Sequence, residues 1–234
     1  MYYKIILTSL FFASFSLSAK GLEYEGVDVK MPDDNGKIQN MQVKRNIPKE
    51  CKELPVENTL LWTGNFAHKD VPEACKSTYV HTKGKLLPMR LYDDLDTYGE
   101  LEVLSTLKEM QDNKELLLID SRKEVWFKYM TIPGAINMPF HYFSERDGYV
   151  FHFEHALKYL GVTIDKEGDY DFSKAKTLVI FCNGPWCTQS PSMIFALIDI
   201  DYPLKKLKWY RGGMQDWLSA GMTSTRKSLN KNPN

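Results

Sequence analysis

One stretch limits what this chain can fold into more than any other: Thr177-Leu-Val-Ile-Phe-Cys182-Asn-Gly-Pro-Trp-Cys187-Thr-Gln-Ser190. An apolar β-type run ends in a cysteine. A short Gly-Pro loop follows, and after Ser190 comes the apolar-periodic segment Pro191–Ile200. That order reads as strand, tight loop, helix. Such a loop lies where backbone N–H groups converge and the helix dipole is positive. A cysteine there is expected to have a depressed pKa and a stabilised thiolate, which makes Cys182 the candidate nucleophile. The competing reading is a buried, inert thiol at a strand end.

The flanking pattern extends this unit into a domain. Asp96–Met110 reads as a helix with Leu101, Leu104, Leu107 and Met110 on one face, and Thr97 with Glu100 resembles a capping box. Leu116–Ile119 is a continuous apolar run, as in a buried parallel strand, and ends at Asp120-Ser-Arg122. Lys123–Tyr129 reads as a short helix offering Val125, Trp126 and Tyr129 for packing. Ile132–Pro139 is a turn and a brief strand, and Phe153–Leu160 a helix. Asp165–Ser173 is a polar loop and Leu204–Tyr210 a last strand. After the tight turn Arg211-Gly-Gly213 comes the helix Met214–Ala220, with Met214, Trp217 and Leu218 on one side. Strands alternating with helices from Asp96 to Gly221 predict an α/β domain with a mainly parallel sheet. Ligand sites in such sheets lie at the carboxyl ends of the strands, where both Asp120 and Cys182 fall.

Residues 1–19 read as an export signal: Lys4, the apolar run Ile5–Leu17, and a small residue at Ala19. The rival reading is an uncleaved N-terminal anchor. Beyond this run nothing is long and apolar enough to span a membrane, so no membrane partner is expected after cleavage. The expected compartment is a bacterial periplasm. Lys+Arg and Asp+Glu both number 30, and this balance argues against nucleic acid as a partner.

Export bears on the four cysteines. An oxidising compartment permits a structural bridge between Cys51 and Cys75, worth about 3 kcal/mol, against the alternative of two independent buried thiols. No spacing matches a zinc pattern, so no metal is expected, and His152 with His155 reads as a surface pair. Residues 20–95 form an N-terminal extension or small subdomain. It opens on a β-hairpin within Gly21–Asn46, turned at Asp34-Asn35-Gly36, with Val27, Val29 and Met31 alternating with polar residues. The irregular stretch Ile47–Lys83 follows. The main domain spans residues 96–223, and 224–234 is a polar tail expected to fray.

Four segments together resemble the rhodanese-like superfamily, in its order. They are Leu-Leu-Leu-Ile-Asp120-Ser-Arg122; Thr131-Ile-Pro-Gly-Ala-Ile-Asn-Met-Pro139; the Cys182 strand and loop; and Arg211-Gly-Gly-Met-Gln-Asp-Trp217-Leu-Ser-Ala-Gly221. The resemblance covers about Gly99–Gly221. It implies a rhodanese-like sheet flanked by helices, and a sulfurtransferase that needs no cofactor. Cys182 would carry sulfane sulfur as a persulfide, taken from a small donor and passed to a cyanide-type, thiol or protein acceptor. Its loop, Asn183, Gly184, Pro185, Trp186, Cys187 and Thr188, would supply amides to the charged sulfur.

The alternatives are a non-catalytic rhodanese-like binding module that docks sulfur or redox proteins, and a dithiol redox protein using Cys182 and Cys187. Active loops of the family often carry an Arg or Lys that holds thiosulfate; this loop has none, which speaks against thiosulfate as donor. Related phosphatases need an Arg where Thr188 stands, which speaks against phosphatase chemistry. Cys187 is open to three readings: loop filler, resolving thiol, or acceptor for the transferred sulfur. Asp120 and Arg122 read as a pair bracing the loop, Arg211 as a support near the mouth, and Trp186 as either pocket lining or an apolar plug.

Overall fold

The computed structural model describes residues 26–33, 35–44, 46 and 85–226. The export segment, Cys51, Cys75 and residues 227–234 lie outside the described residues. Among the described residues, no helix is long and apolar enough to cross a membrane.

The chain begins with the antiparallel hairpin β1 (Val27–Pro32) and β2 (Ile38–Val43), in register Val27↔Val43 and Val29↔Met41. Val27, Val29 and Val43 are buried, as the alternation predicts, while Ile38 is exposed. Next come β3 (Asp96–Tyr98), α1 (Glu100–Glu109), β4 (Leu116–Asp120), α2 (Glu124–Tyr129), β5 (Met130–Thr131) and β6 (Ile136–Asn137). The aromatic-rich stretch forms α3 (His141–Ser144), a 3-10 turn at Arg146–Gly148, and α4 (Val150–Tyr159). A small antiparallel pair, β7 (Thr163–Ile164) and β8 (Tyr170–Asp171), occupies part of the expected polar loop. Then follow β9 (Thr177–Phe181), α5 (Gln189–Ile198), β10 (Leu207–Tyr210), α6 (Gly213–Ser219) and β11 (Thr225–Arg226).

Five of these strands form one sheet in the order β3-β10-β9-β4-β6, with every pairing parallel. The mainly parallel α/β fold is therefore as expected. β9 lies at the centre, and its alternate side chains enter two different cores. Leu178 and Ile180 face the core of α3, α4 and α5, with Phe143, Leu157 and Met193. Val179 and Phe181 face the core of α1, α6 and the hairpin, with Val29, Leu107 and Trp217. A strand apolar on both faces must be covered on both, at about 1.5–3 kcal/mol for each large side chain removed from water. The hairpin supplies part of that cover on one face.

The structure differs from the sequence reading in several local features. Asp96–Tyr98 is strand rather than helix, because the free edge of β10 pairs with it and Lys208 meets Asp96 at 2.5 Å. The capping box is then built on Gly99, whose N–H donates to Glu102 Oε2 at 2.9 Å. Leu101 is 46% exposed. Steps of three residues rotate a helix by about 60° each from its starting face, so Leu101 and Met110 cannot both face inward. Along α2 nothing is buried, and Val125, Trp126 and Tyr129 are exposed among the described residues. On α6, Met214 and Trp217 are buried and Leu218 is exposed. The polar tail is pinned at its start, where β11 pairs with β5 and Thr131 N–H donates to Thr225 Oγ1.

Candidate active site

Cys182 immediately follows β9, at the carboxyl end of the central strand. The chain turns there because the amides opening α6 capture its carbonyls: Met214 N–H donates to Cys182 O at 3.0 Å and Gln215 N–H to Asn183 O at 2.9 Å. Gly213 makes this approach at φ +54, and a Cβ on it would stand 2.3 Å from Cys182 O. The closing Gly-Gly element therefore seats the loop.

The loop folds back through Cys187 N–H to Gly184 O at 2.9 Å, and Trp186 Nε1–H donates to Gln215 Oε1 at 2.5 Å. Trp186 is thus tied to α6. Thr188 is exposed and starts α5, its carbonyl accepting from Ser192 N–H and Ser192 Oγ. Pro185 O accepts from Leu87 N–H at 2.9 Å, so the segment before β3 straps the loop. Arg211 completes the strap, donating to Leu87 O and Pro88 O. Its guanidinium is engaged there, bracing the strap.

Both loop sulfurs are buried, Cys182 at 2% and Cys187 at 5% exposure. The Cys182 thiol donates to Cys187 O at 3.4 Å, and the two thiols shift each other's acidity. Ser190, in the first turn of α5, donates its hydroxyl to Cys182 Sγ at 3.0 Å and its backbone N–H to the same sulfur. Trp209 Nε1–H donates to Ser190 Oγ at 3.0 Å, which leaves the hydroxyl proton for Cys182. The Cys187 sulfur accepts the backbone N–H groups of Asn183 and Gln189, and Asn183 Nδ2 at 3.8 Å.

These contacts correct the expectation for Cys182. Burial pushes its thiol well up, and contact with Cys187 adds to the rise, against opposing hydrogen bonds from Ser190. The depressed thiol is Cys187, pulled down to about 7 chiefly by the hydrogen bond from Cys182, with the Asn183 and Gln189 amides helping against burial. The two sulfurs titrate as a pair: the first proton leaves near neutrality, and the charge rests mainly on Cys187. The amides expected around the Cys182 sulfur are those of Asn183 to Thr188; the backbone N–H acting on Cys182 is that of Ser190, and those acting on Cys187 belong to Asn183 and Gln189.

Asp120 and Arg122 stand beside this pair and do not touch either sulfur through any described hydrogen bond. Their ion pair is buried at 2.7 Å, with Arg122 Nε also donating to Asp120 Oδ1. Thr131 Oγ1–H donates to Asp120 Oδ2, Arg122 Nη2 to Met130 O, and Asn137 Nδ2 to the carbonyls of both Asp120 and Arg122. Arg122 Nη1 reaches Asn183 Oδ1 at 3.3 Å, which turns the Asn183 Nδ2 group toward Cys187. A relay of contacts thus runs Asp120–Arg122–Asn183–Cys187.

The sequence reading missed the sulfur contacts of Ser190, the role of Trp209 and the orienting role of Asn183. Ser190 had a signal, as the hydroxyl residue opening a helix after a cysteine loop. Trp209 had none, because only strand pairing brings it to Ser190. His152 and His155 are exposed, His152 stacked on Tyr142 and His155 on Phe151. Among the described residues, no group of three His, Cys, Asp or Glu side chains is placed to hold a metal ion.

Comparison with solved structures finds a protein from Bacillus halodurans, 17% identical, with a TM-score of 0.41, covering 59% of this chain and 85% of that one. The rhodanese-like domain of an Anabaena protein is 14% identical, with a TM-score of 0.37, covering 59% and 84%. The polysulfide-sulfur transferase homodimer of Wolinella succinogenes is 18% identical, with a TM-score of 0.38, covering 62% and 88%. At such scores none of the three bears on the chemistry. No curated protein sequence matches the chain. A rhodanese-like domain profile matches residues 103–220, just over half of the 234 residues, and takes in β4, both loop cysteines and the Gly-Gly turn. The chain belongs to the rhodanese-like domain family.

Proposed function

We propose that this protein is a sulfurtransferase that carries sulfane sulfur as a persulfide on Cys182 and passes it to a thiophilic acceptor. The observation that carries this reading is the setting of Cys182: a thiol ending the central strand, held by the hydroxyl and backbone N–H of Ser190 at a helix start. A proton shift from Cys182 to Cys187 exposes the Cys182 thiolate, and Ser190 supplies two donors to it. The thiolate attacks the outer sulfur of the donor, the donor's S–S bond breaks, and its remainder leaves with the electron pair. An incoming thiolate or cyanide then attacks the terminal sulfur and frees Cys182.

The donor class follows from the loop. Asn183 to Thr188 contain no cation, and the nearby guanidiniums of Arg122 and Arg211 are committed elsewhere. A polysulfide or a low-molecular-weight persulfide suits this site better than thiosulfate, whose sulfonate calls for a fixed positive charge. We also propose export to a bacterial periplasm, on the strength of residues 1–19. A carrier there depends on a supply of reduced thiols.

Intact-mass measurement after exposure to polysulfide, thiosulfate and a small persulfide tests the proposal. The expected result is one added sulfur atom on wild type and none at position 182 in Cys182→Ser. Wild type that neither gains sulfur nor releases sulfide with any of the three is a binding module, and the proposal fails.

A further inference from the structure

The Cys187 side chain is not accounted for by packing. A loop-filling thiol needs apolar neighbours, whereas Asn183 Nδ2 stands 3.8 Å from this sulfur, the Cys182 thiol donates to Cys187 O at 3.4 Å, and the Asn183 and Gln189 amides with the Cys182 thiol draw the Cys187 thiol down. Asn183 is itself held for that task by Arg122, which is locked to Asp120. Donors gathered near a sulfur favour its anion, and here that anion is the thiolate of Cys187. Cys182 Sγ lies 3.4 Å from Cys187 O within one tight loop, so neither sulfur needs a long excursion to reach the other.

We propose that Cys187 is the resolving nucleophile of the Cys182 persulfide. This rests on the reading of Cys182 as the sulfur carrier. The Cys187 thiolate attacks the inner sulfur, which is the Cys182 Sγ. The bond between that sulfur and the sulfane sulfur breaks, and the sulfane sulfur leaves as hydrosulfide with the electron pair and its own proton. A Cys182–Cys187 disulfide forms. The sulfane sulfur is reduced by two electrons and the two thiolates are oxidised by two. An external dithiol then reduces the disulfide by exchange and resets the site. On this scheme the product is free sulfide, and the partner consumed in each cycle is a dithiol reductant.

Reduced protein is exposed briefly to inorganic polysulfide, desalted at once, and followed by intact mass and by free sulfide. Wild type is expected to shed its added sulfur as sulfide, one per chain, and to finish two hydrogens lighter than reduced protein. Peptide mapping is expected to place the new bond between Cys182 and Cys187 rather than at Cys51 or Cys75, and dithiothreitol to remove it. Cys187→Ser is expected to hold the added sulfur at least about tenfold longer. If wild type holds the sulfur as long as Cys187→Ser and releases no sulfide, the resolving role is overturned and the carrier reading stands. If wild type neither gains sulfur on Cys182 nor releases sulfide, and Cys187→Ser also takes up none, the carrier reading fails and the resolving role with it.

Discussion

Ser190 Oγ stands 3.0 Å from Cys182 Sγ and has its own acceptor site filled by Trp209 Nε1–H. The hydroxyl is therefore a one-directional donor, aimed at the sulfur of the proposed carrier. All three groups are buried, so each missing bond is felt.

Ser190→Ala removes the donor from Cys182 and leaves Trp209 Nε1–H buried without a partner. The expected cost is about 1–3 kcal/mol in urea unfolding. Sulfur uptake at Cys182 is expected to slow by about tenfold, because one of two thiolate donors is lost. Uptake unchanged from wild type, in protein of normal stability, would show that the hydroxyl does not serve the thiolate.

The thiol pair gives stability a pH dependence with two opposite limbs. Cys187 is depressed to about 7 in the fold, against about 8.5 for a free thiol. Its contribution is present above the unfolded value and is lost as pH falls through about 7. Cys182 is raised by burial, so its contribution is present below the unfolded value and is lost as pH rises through its folded one. Together they make the reduced protein most stable near about pH 8.5, with a decline on either side. Urea midpoints across this range, compared with the Cys182→Ser/Cys187→Ser double variant, measure it. A difference between the two proteins that does not vary with pH removes the assignment.

Much of this site can be read in one dimension. The run Thr177–Phe181 is apolar at every position but the first, and a strand buried on both faces requires that. The run Leu116–Ile119 is equally continuous, so its Asp120 lands at the same sheet edge as Cys182 by parallel pairing. What escaped were effects of tertiary partners. Asp96–Tyr98 has its own helical pattern and becomes strand only because β10 has an open edge. Trp209 meets Ser190 across 19 residues of chain. The exchange of acidity between Cys182 and Cys187 depends on which sulfur receives which amide. No spacing rule encodes that.

The Asp120–Arg122 pair is buried and fully engaged, so removing one partner strands the other. Arg122→Met leaves an uncompensated carboxylate and is expected to cost about 3–5 kcal/mol in denaturant unfolding. It also frees the Asn183 amide to rotate, so the first ionisation of the thiol pair is expected to move upward from about 7, read by the pH profile of alkylation. An unfolding loss well under 1 kcal/mol would mean that water reaches this pair, contrary to its burial.

Gly213 offers the sharpest backbone test. Its φ of +54 is in the left-handed region, and an added Cβ would lie 2.3 Å from Cys182 O and 2.8 Å from Gly184 N. Backbone atoms on both sides leave nothing flexible to yield. Gly213→Ala must therefore push the start of α6 away from the loop, breaking the bonds from Met214 N–H to Cys182 O and from Gln215 N–H to Asn183 O. Strain and the two lost bonds together are expected to cost about 2–4 kcal/mol. The variant is expected to lose sulfur uptake even at temperatures where it stays folded, because the loop no longer presents its amides to the two sulfurs. Gly148→Ala, where an added Cβ meets nothing within 4 Å, is the matched control and is expected to retain both stability and uptake. Equal behaviour of the two variants in thermal unfolding and sulfur loading would sink the claim that the Gly-Gly turn seats the active loop.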